Sequence, residues 1–205
     1  FKNVLIQQCY FGTNHKWMYL PVSIESSKYV CINQSIFINC RGSGIGLRHM
    51  GIVAIVKSLF VNCNGLSGGA ISTVMNKTGA RFIMVVDESV FHRCSVSGEG
   101  GALSYKIVPS EHCQIRISNS HFVNCSASSG GTISFLSNCK CFQSHFPYHC
   151  GDYCSELGKR SLEKYISVIN CSFHQNKAIG HHTNHGHGGV VIVKGRNITV
   201  FILSS

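Results

Sequence analysis

One six-residue phrase, Ser-x-Phe-x-Asn-Cys, recurs along this chain and constrains its fold more than any other feature. Four copies, one of which varies at the Asn position, occupy residues 35–40, 58–63, 89–94 and 120–125, and a permuted copy lies at residues 170–176. The phenylalanines of these copies are Phe37, Phe60, Phe91, Phe122 and Phe173, with intervals of 23, 31, 31 and 51 residues. Such a repeat is typical of a solenoid, in which each unit packs only against its neighbours.

A glycine pair follows four of these copies and leads into a strand of small or β-branched residues. The second glycines of the pairs are Gly69, Gly101, Gly131 and Gly189. Glycine is expected at corners that need a positive φ or that leave no room for a side chain above the next coil. The Phe37 unit has a looser counterpart of this strand at residues 51–55.

Each coil can be divided into short strands, namely residues 37–39, residues 52–56 and a third such as 82–86 or 114–118. Strands this short are stable only when successive coils pair in parallel about 4.8 Å apart. We expect phenylalanine to stack as aromatic rungs inside the coil, and asparagine to stack at an inward turn position.

The predicted fold is therefore all-β, a right-handed parallel β-helix of the pectin-lyase-like kind. It is expected to form a single unit over residues 1–205, with clear repeats from about 30 to 200 and an irregular Cys-rich insertion at residues 139–164. Both ends of the sequence are strand-like, so we expect a segment of a longer array whose ends stack on the rest of the same chain.

Composition limits the classes of function. Charged residues make up 13% of the chain, about half the usual share, so Ser, Asn, Thr and Gly must supply the polar surface. The net charge of +10 suits an acidic partner. The basic residues form no run and no nucleic-acid-binding motif, so no specific nucleic-acid partner is predicted. No apolar stretch has the length of a membrane span.

Two of these motifs resemble a known pattern. Gly68-Gly69-Ala70-Ile71 and Phe173-His174-Gln175-Asn176 resemble the Gly-Gly-Ala-Ile and Phe-x-x-Asn repeats of chlamydial polymorphic outer-membrane proteins. The other copies read Phe-x-Asn-Cys or a variant, which is more similar to Cys-rich repeat proteins predicted at the surface of protist parasites. The resemblance covers most of residues 30–200. It implies a right-handed β-helix, an extracellular or cell-surface location, and glycans or proteins of a host or neighbouring cell as partners.

Five of the 12 cysteines share one slot of the repeat and are expected to form a column. They are Cys40, Cys63, Cys94, Cys125 and Cys171. Such a column can consist of small buried apolar groups, or its members can pair as disulfides between adjacent coils, because the coil spacing lies within the Cα range of a disulfide.

A second cysteine group lies in the insertion, together with His145 and His149. Its cysteines are Cys139, Cys141, Cys150 and Cys154. Two disulfides, free thiols and a zinc site built from Cys139, Cys141, His149, Cys150 and Cys154 all remain open. The spacing matches no zinc-finger signature, so no metal or other cofactor is predicted. The histidine tract at residues 181–187 is expected to be a solvated turn rather than a metal site.

Glycosylation is a further expectation. Asn-x-Ser/Thr sequons begin at Asn33, Asn76, Asn124, Asn170 and Asn197. Asn124 and Asn170 fall in the inward asparagine slot and are expected to be unavailable. The candidate sites are therefore Asn33, Asn76 and Asn197.

No catalytic residues are predicted. Glycoside hydrolysis needs paired carboxylates, and the only adjacent acidic pair is Asp87-Glu88, whose side chains would face opposite sides of a strand. Residues 42–46 contain a Gly-Ser-Gly but lack the spacing and context of a nucleophile elbow. The sequence favours a non-enzymatic surface or secreted solenoid with an adhesive or structural role. A carbohydrate-binding or polysaccharide-degrading β-helix is the alternative.

Overall fold

The chain folds into a stack of parallel coils. The computed structural model describes residues 2–12, 18–75, 81–107, 112–129, 131–137, 163–178, 190–194 and 198–203. The elements in these ranges are 25 β-strands and no helix, and the strands form four parallel sheets. Each strand pairs with the strand four places along the chain, so every turn of the chain contributes one strand to each sheet. This arrangement is a parallel β-helix and confirms the predicted fold class.

The strands of the four sheets, here called A to D, follow one another around each coil. Sheet A contains β1 Lys2–Gln7, β5 Ser27–Asn33, β9 Ile52–Val56, β13 Arg81–Asp87, β17 His112–Ser118, β21 Glu163–Ile169 and β25 Ile198–Leu203. Sheet B contains β2 Tyr10–Phe11, β6 Ile36–Ile38, β10 Leu59–Val61, β14 Val90–His92, β18 His121–Val123 and β22 Ser172–His174. Sheet C contains β3 Met18–Tyr19, β7 Cys40–Arg41, β11 Asn64–Gly65, β15 Ser95–Glu99, β19 Ser126–Ser129 and β23 Lys177–Ala178. Sheet D contains β4 Val22–Glu25, β8 Ile45–Arg48, β12 Ile71–Met75, β16 Leu103–Ile107, β20 Ile133–Ser137 and β24 Val191–Lys194.

The coil contains four strands rather than the expected three. The strands at residues 52–56, 81–87 and 112–118 are equivalent members of sheet A, since Ile52 pairs with Ile83 and Ile83 with Gln114. The partner of Ile71 one coil earlier is Ile45, so the glycine-rich segment at residues 42–46 is the counterpart of the glycine-pair strand. The assignment of that counterpart to residues 51–55 was wrong. The strands at residues 45–48 and 52–56 both alternate in burial, so hydrophobic pattern alone does not separate sheet D from sheet A.

Aromatic stacking organises the interior beside sheet B. Six rings form one continuous stack, with centroids 4.7 to 5.0 Å apart and planes within 14° of parallel. Its members are Phe11, Phe37, Phe60, Phe91, Phe122 and Phe173. The predicted aromatic rungs are confirmed, and the stack extends by one ring, Phe11, which no Ser-x-Phe-x-Asn-Cys phrase surrounds. Alternate residues of sheet A, such as Val53 and Ile55, are also fully buried.

Single left-handed residues turn the chain on both sides of the sheet B strands. Before the strand these residues are Gln8, Gln34, Lys57, Glu88, Asn119 and Asn170, and after it they are Asn39, Asn62, Arg93, Asn124 and Gln175. Their φ values lie between 46° and 55°. Asparagine tolerates this conformation better than most residues, because its short polar side chain can hydrogen-bond locally. This preference explains the Asn of the repeat phrase.

Side chains at these corners pair from coil to coil. Asn62 Nδ2 donates to Asn39 Oδ1 at 2.7 Å, and the ammonium of Lys57 lies 3.7 Å from the carboxylate of Glu88. Stacked amides are thus confirmed for Asn39 and Asn62. Their predicted inward position is wrong, because a left-handed corner directs the side chain away from the interior. The equivalent residue Asn124 is exposed.

The glycine pairs lie where coils approach most closely. A Cβ on Gly69 would lie 2.2 Å from the carbonyl oxygen of Gly101, and one on Gly101 would lie 2.6 Å from that of Ser126. Gly131 has a φ of 41°. The predicted role of these glycines is confirmed at these positions, and Gly189 lies outside the described residues.

Connections between strands vary in length at several junctions of the coil, most often between sheets D and A. Residues 76–80, 108–111 and 138–162 each connect a strand of sheet D to the next strand of sheet A. The Cys-rich insertion predicted at 139–164 therefore ends at residue 162, because β21 already begins at Glu163.

Candidate ligand-binding surface

A ladder of serine hydroxyls fixes the coils on one side of the phenylalanine stack. Ser35 N donates to Ser58 Oγ at 3.3 Å, and Ser58 N to Ser89 Oγ at 3.2 Å. Each hydroxyl also donates to the carbonyl two residues earlier; for Ser58 this distance is 2.9 Å. Cys171 occupies the last position of this ladder, since it precedes Phe173 by two residues as Ser35 precedes Phe37. Its assignment to the cysteine column was wrong, because the permuted copy shifts Cys relative to Phe.

The cysteine column lies on the other side of the stack. Its members are Cys40, Cys63, Cys94 and Cys125, all of them buried free thiols. Cys125 Sγ donates to the carbonyl of Phe91 at 3.5 Å. The position after Cys125 belongs to Asn176, whose Nδ2 donates to the carbonyl of Phe122 at 2.9 Å. The structure therefore contains small buried thiols here rather than disulfides.

The ionisation of this column is governed by burial and by thiol–thiol hydrogen bonds. A hydrogen bond to Cys63, followed by burial, raises the pKa of Cys40, and burial raises the pKa of Cys94. Hydrogen bonds from Cys40 and Cys94 lower the pKa of Cys63. All three side chains are fully buried, so a reagent in solution reaches none of them in the folded chain. The column is a packing element and lacks the exposure of a reactive cysteine.

The remaining cysteine and histidine predictions fall on other parts of the chain. Cys139, Cys141, His149, Cys150, Cys154 and the histidine tract at 181–187 lie outside the described residues. Within the described ranges, no three His, Cys, Asp or Glu side chains cluster closely enough to hold a metal ion. Those ranges also contain no helix long and apolar enough to cross a membrane.

The sequons differ from expectation in their exposure. Asn33, at the end of β5, is partly exposed, while Asn76 and Asn197 lie outside the described residues. Asn124 and Asn170, which were expected to point inward, are both exposed because each occupies a left-handed corner.

The adjacent acidic pair takes part in coil-to-coil contacts. Asp87 Oδ1 accepts hydrogen bonds from Ser118 Oγ at 2.7 Å and from Asn119 Nδ2 at 3.0 Å. Glu88 faces Lys57, and both of these side chains are about half exposed. Each carboxylate thus has a partner on a neighbouring coil.

The outward faces of the four sheets differ in polarity. Sheets A and B present many apolar side chains, such as Leu5 and Ile52 on sheet A and Leu59 on sheet B. Sheet C presents polar residues, and sheet D presents a row that includes Ser23 and Ser72. The expected polar surface is therefore restricted largely to two of the four faces.

A continuous outward row of polar side chains runs across sheet C. Strand pairing aligns six residues in register, one from each coil: Tyr19, Arg41, Asn64, Ser95, Ser126 and Lys177. Tyr19, Arg41 and Lys177 are exposed and the other three are partly exposed. Within the described residues, the side chains of Arg41, Asn64 and Lys177 have no hydrogen-bond or ion-pair partner, so they are free to contact a ligand. We call this set the sheet C row.

An open groove of about 580 Å³ covers the first four members of the sheet C row. The guanidinium carbon of Arg41 lies 5.8 Å from the ring centroid of Tyr19, a cation–π contact that orients the arginine fork. Leu66, 82% exposed, forms part of the wall. A second hollow of about 220 Å³ lies on sheet D and shares Gly42 and Leu66 with the groove.

A positional signal for the sheet C row exists in the sequence. Five of its six members follow a stacked phenylalanine by four residues, as Arg41 follows Phe37 and Lys177 follows Phe173. Residue types at this slot vary, so the slot does not stand out as a repeated residue in the sequence. No protein-family model, curated protein or solved structure matches this chain.

Proposed function

We propose that the chain is a non-enzymatic β-solenoid, secreted or displayed at a cell surface, with an adhesive or structural role. The observation that carries this proposal is the in-register stacking of the coils. The interior slots and corner residues are used in ladders, for example Phe37 on Phe60 and Asn62 on Asn39. Because these side chains stabilise the coils, ligand contacts must come from the outward rows and the loops. A regular outward row is suited to contact with an extended partner.

The enzyme alternative is disfavoured by the use of the acidic side chains. A polysaccharide lyase or hydrolase needs carboxylates that converge on substrate. Asp87 instead binds Ser118 and Asn119, and Glu88 pairs with Lys57. We therefore expect no release of reducing ends from pectin or other polysaccharides, and Asp87→Asn should alter stability rather than any turnover.

Exposure of the sequons supports an extracellular location. Asn33 is partly exposed and Asn124 and Asn170 are exposed, so all three are accessible to glycan addition on the secretory route. The resemblance to Cys-rich surface repeat proteins points in the same direction.

The outer edge of β25 leaves an apolar side chain exposed. Ile202 on β25 belongs to the inward row of sheet A that contains Ile32 and Ile55, yet it is 62% exposed, whereas those two residues are fully buried. A strand paired with β25, whichever chain supplies it, would bury this side chain and satisfy the strand edge.

Surface labelling tests the proposal directly. An antibody against this chain should detect the protein on intact cells of the source organism, or in their medium. Beads coated with the chain should adhere to the surface of a host or neighbouring cell. Controls are an antibody to a cytosolic protein and beads coated with heat-denatured chain. Detection only after permeabilisation, or product release from a polysaccharide, would overturn the proposal.

A further inference from the structure

We propose that the sheet C row is a binding site for an extended anionic glycan that bears sulfate or carboxylate groups. This inference rests on the proposed function, because a surface or secreted protein is the kind that meets such glycans. It adds the chemical class of the ligand and the side chains that recognise it.

Charge favours an anionic ligand. Arg41 and Lys177 are the two charged members of the row, and both are exposed cations without an acidic partner in the described residues. The chain as a whole carries a net charge of +10. The guanidinium of Arg41, oriented over Tyr19, presents its donors to the groove, and arginine recognises planar or tetrahedral oxyanions through paired hydrogen bonds.

Spacing favours an extended ligand. Arg41 and Lys177 are separated by four strand steps, or about 19 Å at the usual spacing of parallel strands. The positions between them are Asn64, Ser95 and Ser126, whose amide and hydroxyl groups both donate and accept hydrogen bonds. This combination matches a chain of hydroxyl-rich rings with anionic groups along its length.

The row is less suited to other polyanions. Single-stranded nucleic acid is bound by successive aromatic platforms on which bases stack. The sheet C row has one aromatic member, Tyr19, and its ring is in contact with the guanidinium of Arg41. The small polar side chains between the two cations favour sugar hydroxyls over bases.

The experiment measures binding of fluorescently labelled oligosaccharides to the full chain by anisotropy. The probes are a heparin-derived hexasaccharide and disaccharide, an oligogalacturonate hexasaccharide, a neutral cello-hexasaccharide, and a single-stranded DNA of similar length. The two anionic hexasaccharides distinguish sulfate from carboxylate recognition. We expect at least one of them to bind, with affinity that falls as salt is added, and the neutral probe not to bind.

Matched variants locate the site. Arg41→Gln should weaken binding by about tenfold, as expected for loss of a charged hydrogen-bond donor. Arg116→Gln, which removes the same charge from an exposed position on sheet A, should leave affinity unchanged. Lys177→Gln should abolish the preference for the hexasaccharide over the disaccharide, because a disaccharide is too short to reach both cations. The thermal midpoints of these variants, whose altered side chains are all exposed, should match that of the parent chain.

Equal losses in Arg41→Gln and Arg116→Gln would mean that binding follows overall charge, and would overturn the site. Tighter binding of DNA than of either anionic glycan, with the same dependence on Arg41, would overturn the glycan assignment. If the protein is found on intact cells but no glycan binds, the proposed function stands and this inference fails. If the glycan binds as expected but the protein is found only after permeabilisation, the surface location fails instead.

Discussion

Truncation of Phe91 to alanine is the sharpest test of the aromatic stack. The ring is fully buried and lies between two others, 5.0 Å from the centroid of Phe60 and 4.7 Å from that of Phe122. Removal of a buried phenylalanine side chain usually costs about 3 to 5 kcal/mol through lost burial and the resulting cavity. Because coils are held at fixed spacing by backbone hydrogen bonds, the site cannot collapse, and we expect the upper half of that range.

Phe91→Leu separates stacking from volume. Leucine fills most of the cavity, so repacking should cost less than about 1.5 kcal/mol. Loss of two stacked pairs should add about 0.5 to 1.5 kcal/mol each. Together these two costs come to about 3 kcal/mol for the leucine variant, less than the loss of about 4 to 5 kcal/mol expected for the alanine variant.

Urea unfolding followed by circular dichroism measures these differences. Ile83→Ala is the control, since it removes a side chain from the outer face of the same coil, and it should cost less than either Phe91 variant. Transitions must be compared at equal slope, because a solenoid can unfold in parts. A loss below about 1.5 kcal/mol for Phe91→Ala, or equal losses for alanine and leucine, would refute the reasoning from fixed coil spacing.

Three further predictions address coil spacing, a buried hydroxyl and thiol access. Gly69→Ala places a Cβ against a backbone carbonyl and should lower the free energy of unfolding by about 3 kcal/mol or more. In Gly46→Ala the added Cβ meets only the end of a flexible leucine side chain, so the loss should be about 1 kcal/mol or less. Similar urea midpoints for the two variants would contradict the close approach of coils at Gly69. Burial raises the pKa of Tyr105, whose hydroxyl has no hydrogen-bond partner in the described residues. Folding stability should therefore decline as pH rises above about 10, where the unfolded tyrosine ionises. Tyr105→Phe should reduce this decline when unfolding is measured as a function of pH. In native protein an alkylating reagent followed by mass spectrometry should modify the partly exposed Cys31 well before the buried Cys94, and simultaneous modification would show that the column is open.

The phenylalanine stack could be predicted from sequence because its physical cause is local. A three-residue strand between two fixed corners places Phe37 and its equivalents on the inside of each coil. The residue pattern therefore repeats wherever this local geometry repeats. Phe11 was not predicted because Cys9 replaces the serine of the repeat phrase and Thr13-Asn14 replaces its Asn-Cys. The stack requires only the ring, whereas the repeat is defined by the residues around it.

The sheet assignment of the longer strands could not be predicted in the same way. Residues 45–48 and 52–56 are both short segments that contain isoleucine and alternate in burial, so hydrophobic pattern gives each the same description. What separates them is the partner of each strand. Ile45 pairs with Ile71 and Ile52 pairs with Ile83. Because the intervening loops differ in length, this pairing cannot be read from the spacing of the residues.

The corner asparagines show how a correct residue preference led to a wrong orientation. The repeated Asn was expected to stack, and Asn39 and Asn62 do so, but at the rim rather than inside. The error came from treating the position as part of a strand, where alternate residues face inward. A single left-handed residue turns the chain at a corner, and the alternation restarts at the next residue, so that Cys40 and Cys63 face inward instead.

The same corners explain why the sheet C row stays in register although the coils differ in length. In the five coils that contain Phe37, Phe60, Phe91, Phe122 and Phe173, the path from the first left-handed corner through phenylalanine to the row has a constant length, and additional residues enter after the row, as at 76–80 and 138–162. The first coil differs, because residues 12–17 lie between its phenylalanine and its member of the row. Arg41 and Lys177 therefore occupy the same slot in coils whose loops differ widely. Insertions can change the edge of the solenoid without displacing a ligand bound along sheet C. The row and the loops can consequently vary independently, and a substitution at the slot four residues after phenylalanine should alter ligand affinity while leaving the stack intact.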